Sequence, residues 1–228
     1  MNSLTQQKDS LLLGSKKAIE ELAKKDSSRI LLISDSHGAF FTFSTILKEF
    51  GKTCDALVFC GDGMSDFTKC VEEALYEKSF SECFPPVAAF VQGNNDTDMY
   101  PCANPMYSPK KDEPYFCQIK VPQYAVLRAS GHRILAVHGH RLSLYNGHGG
   151  IVQAALREHA DTAVYGHTHF PVWEVNYPKI SVINLGSCSR PRGMMPPSFA
   201  ILTLNAGKSA EDVVFYKLEL NGIKPFIP

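Results

Sequence analysis

Three apolar runs of strand length alternate with segments of helical periodicity early in this chain, and each run stops at polar side chains. RILLIS (29–34) stops at Asp35, DALVFCGD (55–62) at Asp62, and PPVAAFVQGNND (85–96) at Asn94. Between them, FTFSTILKEFG carries apolar residues at helical spacing and a stop at Gly51. SDFTKCVEEALYEK reads as a second helix, capped by Ser65 or Asp66. Strand–helix–strand–helix–strand order predicts parallel βαβ units with right-handed crossovers. Ligands of such sheets gather beyond the carboxyl ends of the strands. All three runs deliver metal-competent groups to that edge.

The pattern then changes. TDMYPCANPMYSPKKDEPYFC (97–117) is rich in proline and tyrosine and reads as a long loop, a length usually tied to function or mobility. Tyr100, Tyr107 and Tyr115 could stack on a nucleobase, although packing of the loop is the simpler use; Lys110 and Lys111 read as solvated. YAVLRASGHRILAVHGH resembles two strands around a turn at Ser130–Gly131, and GIVQAALREHA a helix. TAVYGHTH, PVWEVN, ISVINLG, SFAILTLN and DVVFYKLEL read as short strands of a second, mixed or antiparallel sheet. The expected fold class is α/β, a four-layer α/β/β/α sandwich of two mixed sheets flanked by helices. Residues 1–28 read as an N-terminal helical extension, in which Ile19, Leu22 and Ala23 share one face. Residues 29–228 read as a single domain.

Composition narrows the function. The chain has 228 residues, 44% of them hydrophobic and 20% charged, enough to bury a core without staples. Its 23 basic residues balance 23 acidic ones, which leaves no electrostatic footprint for duplex nucleic acid or an anionic membrane. No apolar stretch reaches the ~18 residues of a membrane helix. The seven cysteines are odd in number and form no C-x-x-C pair, which favours reduced thiols and a cytoplasmic location over a disulfide framework.

The polar residues at strand ends form an ordered set: Asp35 and His37 in SDSHG, Asp62 in CGDG, Asn94 in GNND, His138 in VHGH, and His167 and His169 in YGHTH. Carboxylate, imidazole and amide oxygen together suit manganese, iron, zinc or nickel better than calcium. Seven groups with one shared carboxylate supply four to each of two metals and leave room for water.

D-x-H, G-D, G-N-x-D, H-G-H and G-H-T-H, in this order, resemble the calcineurin-like metallophosphoesterase superfamily over residues 29 to about 205. NLGSCSRPRG (184–193) is similar to the N-P-G-S…P-R segment of its small prokaryotic phosphodiesterase subgroup, with Leu185 in place of proline. The resemblance implies that Asp35, His37 and His169 bind one divalent metal and Asn94, His138 and His167 a second, with Asp62 bridging. Manganese is the favoured metal, with iron, nickel or zinc compatible. It implies a phosphodiesterase that attacks small phosphodiesters in line with a metal-bridging hydroxide, with Asp62, Asn94 and His140 serving catalysis.

Many relatives carry histidine where Asn95 stands, and an amide cannot protonate a leaving group. A preference for diesters with good leaving groups is therefore expected. Asp96 is expected to orient an imidazole, and Arg190 and Arg192 to clamp phosphate or to fix their own loop. His132 and His159 read as solvated, His148 as a helix start or a neighbour of the site. A phosphomonoesterase on the same site is the nearest alternative. Another is a non-catalytic protein-binding scaffold like the retromer small subunit, which resembles the same family. A homo-oligomer is compatible with the sequence, and nothing in it identifies the surface.

Overall fold

The computed structural model describes residues 4–104, 116–144, 147–176, 179–209 and 212–228. In it the alternating runs become β1 (Ser27–Ile33), α2 (Phe40–Phe50), β2 (Ala56–Phe59), α3 (Met64–Tyr76) and β3 (Ala88–Phe90), preceded by α1 (Lys16–Lys24) and with a short α4 (Lys78–Ser81) after α3. β1 pairs with β2, and β2 with β3, in parallel. The strand period of two then sorts the side chains. Leu31 and Ile33 of β1 face one way and join Phe43 and Ile46 of α2 and Phe67 and Val71 of α3. Ile30 and Leu32 face the other way and meet a second sheet. Each such buried aliphatic side chain contributes about 1.5–3 kcal/mol relative to exposure.

The second sheet is built from β6 (Tyr124–Ala129), β7 (His132–Val137), α5 (Gly149–Arg157), β8 (Thr162–Tyr165), β9 (Pro171–Asn176) and β10 (Ile180–Leu185), in strand order β6-β7-β8-β10-β9. Its Ala125, Leu127, Ile134, Val164 and Ile183 fill the space against Ile30, Leu32, Val58 and Ala89 of the first sheet. Its outer face, with Leu135, Ala163 and Val182, packs on Ile151 and Ala155 of α5. Helices, sheet, sheet and helix give the expected four-layer sandwich. The β6–β7 turn falls at Ser130 and Gly131, both with positive φ.

Several local expectations are corrected. The strands β11 (Ser198–Asn205) and β12 (Asp212–Glu219) belong to the first sheet, together with β13 (Gly222–Phe226), in order β13-β12-β11-β1-β2-β3. β11 runs antiparallel along the edge of β1 that β2 leaves open, and so satisfies backbone groups of a strand buried from Ile30 to Ile33. The third apolar run ends its ladder at Phe90, so Asn94 stands on the turn beyond. Neither Ser65 nor Asp66 caps α3; its N-cap is Gly63.

Part of the expected loop is a hairpin of β4 (Met99–Ala103) with β5 (Phe116–Lys120). Tyr107, Lys110, Lys111 and Tyr115 lie outside the described residues. His132 is buried rather than solvated: it opens β7, with Nδ1 3.0 Å from Asp161 Oδ2 and Nε2 3.0 Å from the Asn205 carbonyl oxygen. His159 is exposed, as expected. α1 is capped by Ser15, whose side chain accepts from the Ala18 N–H, and it buries Leu22. Ahead of it, Leu13 exchanges backbone hydrogen bonds with Ala88 of β3.

Candidate metal centre

Asp35, Asp62 and Asn94 follow the first three parallel strands, and His138, His167 and His169 follow β7 and β8. The facing sheets therefore bring two sets of strand ends to one edge. Asp35, His37, Asp62, His167 and His169 all have positive φ, between 45° and 66°. Left-handed backbone is uncommon outside glycine and, where five such residues cluster, marks a site whose geometry the surrounding fold imposes. At Gly166 a β-carbon would overlap Ser34 Oγ and Asp35 Oδ2, so only glycine lets the two loops meet.

Two groups result. In the first, His169 Nε2 lies 3.1 Å and His37 Nε2 3.6 Å from Asp35 Oδ1. The two Nε2 atoms are 3.1 Å apart. In the second, His138 Nε2 is 3.1 Å from Asn94 Oδ1 and 3.5 Å from Asp62 Oδ2. Asp62 Oδ2 also lies 3.9 Å from His37 Nε2, which puts its carboxylate between the groups. The His167 ring stands 5.1 Å from that of His138, centroid to centroid, and its backbone N–H donates to Asp35 Oδ2 at 3.0 Å. His140 stands beside both, its ring 5.4 Å from that of His138 and 6.1 Å from that of His167.

The tautomers decide what these distances mean. His138 Nδ1 lies 2.7 Å from the Cys60 carbonyl oxygen, and His169 Nδ1 meets the carbonyl oxygen of Arg190. A carbonyl only accepts, so both Nδ1 atoms carry protons, and in the neutral rings both Nε2 atoms present lone pairs. Those lone pairs point at Asn94 Oδ1, Asp62 Oδ2 and Asp35 Oδ1, which are acceptors too. Asp35 Oδ1 is buried and has no hydrogen-bond partner among the described residues. Acceptors converging without a proton between them fit divalent cations, and the set of carboxylate, imidazole and amide oxygen fits a transition metal.

Electrostatics follow the same geometry. Burial raises the Asp35 carboxyl, but His169, His37, His138 and Ser34 outweigh it and hold it below the ordinary carboxylate range. The Asp35 carboxylate beside it raises His37, against the opposing effect of burial. Burial, aided by His138, lowers His140 and His167.

A tier of supporting groups stands behind the candidate ligands; Asn95 and Asp96 were expected near the site, whereas Asp66, Asn184, Ser187 and Ser189 were not. Asp96 orients no imidazole among the described residues. Its carboxylate accepts the backbone N–H groups of Asp62 (2.7 Å), Gly93 (2.9 Å), Gly63 (3.0 Å) and Met64 (3.0 Å). It thus does for α3 what a neighbouring cap would do. Asn95 donates from its amide to Asp62 Oδ2 at 2.6 Å and from its backbone to Oδ1 at 2.8 Å. Asp66 Oδ2 accepts from Ser36 Oγ and the Gly38 N–H, fixing the Asp35–His37 loop. Asn184, buried near the end of β10, donates to the Gly166 carbonyl and to Thr168 Oγ1. Ser187 and Ser189 donate to the carbonyl of Asp35. For Asn184, Ser187 and Ser189 the sequence signal was an asparagine at the end of an apolar run followed by G-S-C-S.

A cavity of about 680 Å³ opens over the first group, lined by His37, Asp62, Asn95, Tyr100, His169, Arg190 and Arg192 among others. Both arginines are exposed and form no ion pair with an acid among the described residues. His148 sits at the start of α5 and bridges Glu174 (2.9 Å) and the Tyr165 hydroxyl (2.8 Å), away from this cavity.

The two-sheet fold and this constellation of side chains are of the kind that the phosphoesterase class carries. The model of the calcineurin-like phosphoesterase superfamily domain matches residues 29–207, and the chain belongs to that superfamily. No curated protein matches it. Among solved structures it is similar to a conserved Streptococcus pneumoniae protein described as a predicted phosphoesterase, at 21% identity and TM-score 0.58, over 89% of this chain and 98% of that one. It is also similar to vacuolar protein sorting 29 of Cryptosporidium parvum, at 20% identity and TM-score 0.60, over 89% of this chain and 97% of that one. A third is YfcE, a phosphoesterase from E. coli, at 20% identity and TM-score 0.51, over 85% of this chain and 93% of that one. At these identities the likeness is one of fold.

Proposed function

We propose that the protein hydrolyses small phosphodiesters with two divalent cations, manganese favoured and iron, nickel or zinc compatible. Asp35, His37 and His169 would hold one cation, Asn94, His138 and His167 the other, and Asp62 both. The observation that carries this reading is the convergence of imidazole nitrogens on acceptor oxygens of Asp35, Asp62 and Asn94, among them the buried Asp35 Oδ1, which has no hydrogen-bond partner among the described residues. When bound, the cations would supply positive charge against phosphate oxygens and acidify water near neutral pH.

The chain's own groups do the rest. Asn95 holds the Asp62 carboxylate through two hydrogen bonds and has no proton to deliver as a general acid. The departing oxygen must therefore be a good leaving group. His140 accepts from Arg141 Nε at Nε2, which places the proton of its neutral ring on Nδ1, a buried nitrogen with no partner among the described residues. The ring stands beside those of His138 and His167, where charge would develop on the phosphoryl oxygens. Arg190 and Arg192 line the cavity, paired with no acid among the described residues, and their guanidinium groups suit a phosphate oxygen pair. A cytoplasmic location belongs to the same reading. No helix among the described residues is long and apolar enough to cross a membrane.

The test is turnover of bis-nitrophenyl phosphate and of the nitrophenyl monoester with manganese added, for wild type and Asp62→Asn. Diester hydrolysis that exceeds monoester hydrolysis and is lost in the variant is expected. Comparable rates for both esters would overturn the diester assignment, and undiminished activity in the variant the bridging one. A second reading, a protein-binding scaffold, is favoured by the fold shared with vacuolar protein sorting 29. Two metal equivalents with hydrolysis support the enzyme; partner binding without turnover supports the scaffold.

A further inference from the structure

Cys102 and Cys117 are directly opposite partners in the β4–β5 hairpin. Directly opposite residues of an antiparallel pair have Cα atoms about 4.5 or 5.5 Å apart, depending on the hydrogen-bonding position, and both spacings lie inside the range of about 4.4–6.8 Å that a disulfide spans. Their side chains leave the same face of the hairpin. Both belong to the apolar cluster beneath it, Cys102 fully buried and Cys117 half-buried. The Cys117 thiol donates to the Cys102 carbonyl oxygen at 3.4 Å, so its sulfur already lies over its partner residue. Burial, and after it the neighbouring Cys117 thiol, pushes the Cys102 thiol well above its ordinary value. That leaves the more accessible Cys117 as the first to react. Of the other five cysteines, Cys54, Cys60, Cys70 and Cys188 are buried, and none sits opposite another in a strand pair.

The hairpin is tied to the candidate centre. Tyr100 shares the face of Cys102, two residues away on β4, and lines the cavity over His37 and His169. Its hydroxyl lies 3.4 Å from Asp96 Oδ1 and accepts from the Thr97 N–H at 3.1 Å. Asp96 in turn holds the Asp62 loop.

We infer that Cys102 and Cys117 form a reversible disulfide across the β4–β5 hairpin when the protein meets a small-molecule disulfide such as oxidised glutathione. The Cys117 thiolate attacks one sulfur of glutathione disulfide, a mixed disulfide forms and one glutathione thiolate leaves. The Cys102 thiolate then attacks Cys117 Sγ and the second glutathione leaves. Two protein thiols are oxidised by two electrons, the small disulfide is reduced to two thiols, and the two thiol protons pass to the departing glutathione. The inference does not depend on the catalytic reading, because it concerns thiols alone.

The full-length protein, fully reduced and then titrated with oxidised glutathione, is assayed by free-thiol count and by peptide mapping without reductant. Loss of two thiols from the seven is expected, with one new cross-link joining the peptides of Cys102 and Cys117, reversed by a dithiol reductant. Cys117→Ser should abolish the loss. Cys102→Ser should leave only a glutathione adduct on Cys117, which keeps the test decisive should one variant fold poorly. Loss spread over other cysteines, a stable adduct on Cys117 in the wild type, or no loss at all would overturn the inference.

Discussion

The backbone N–H of Asp62 donates to the carboxylate of Asp96 at 2.7 Å, so one aspartate holds in place the loop that presents the other. The same carboxylate takes up three more N–H groups, from Gly63, Met64 and Gly93. Asp96→Asn replaces an oxygen acceptor by an NH₂ group that faces N–H donors. A loss of about 1–3 kcal/mol of stability is expected from the unsatisfied donors, read as a fall in Tm. Metal affinity should fall about 10–100-fold, read by calorimetric titration with manganese. Unchanged affinity would mean that the Asp62 loop holds its shape without this support.

Asp62→Asn tests the shared carboxylate. The amide keeps the shape but removes the charge and one acceptor between the two groups. Metal stoichiometry of the purified, manganese-loaded protein should drop from two equivalents to one or fewer, and diester hydrolysis should fall by at least about 100-fold. Two retained equivalents would show that the ions do not share this side chain.

Asn95→His would restore a side chain able to protonate the departing oxygen. Turnover of esters with poor leaving groups should rise relative to nitrophenyl esters by about 10-fold or more, the low end of what a general acid contributes being about 100-fold. The variant loses the side-chain hydrogen bond to Asp62 and keeps the backbone one, a change common to both substrates. The readout is the ratio of the two rates, which cancels any change in metal loading.

Metal affinity should depend on pH with a definite sign. Asp35 raises the pKa of His37 in the metal-free protein, so His37 holds its proton to higher pH than an ordinary imidazole. A ligand must be neutral, so a proton competes with the cation. Affinity should therefore be weakest in acid, climb as pH rises through the raised His37 value, and level off above it. Competition with a chelator between about pH 6 and pH 8 reads this directly. In His37→Gln the climb should be shallower; an equally steep climb would assign the competing proton elsewhere.

Gly166→Ala probes the approach of the two sheets' loops. A β-carbon there overlaps Ser34 Oγ and the Asp35 carboxylate. Overpacking of this kind costs about 1–3 kcal/mol, read as a lower midpoint in urea. Metal content should fall with it, because Asp35 and His167 can no longer meet.

Which residues could do chemistry was legible because strand ends are a local property. An apolar run of β-branched and aliphatic residues must stop somewhere, and Asp35, Asp62 and Asn94 stand where three of them stop. RILLIS is a continuous apolar run from Ile30 to Ile33, and its strand is accordingly buried on both faces, against helices on one side and the second sheet on the other. The seven candidate ligands were found this way, together with the resemblance their order carries. The register of β11 on β1, the placement of Asp96 on the Asp62 loop, and the hydrogen bonds of Asn184, Ser187 and Ser189 to the ligand loops were not. Nor was the burial of His132 between Asp161 and Asn205. Periodicity and turn chemistry act within a few residues and are written in the chain itself. Strand partners and side-chain hydrogen bonds join groups tens to more than a hundred residues apart, so only the folded arrangement decides which donor meets which acceptor.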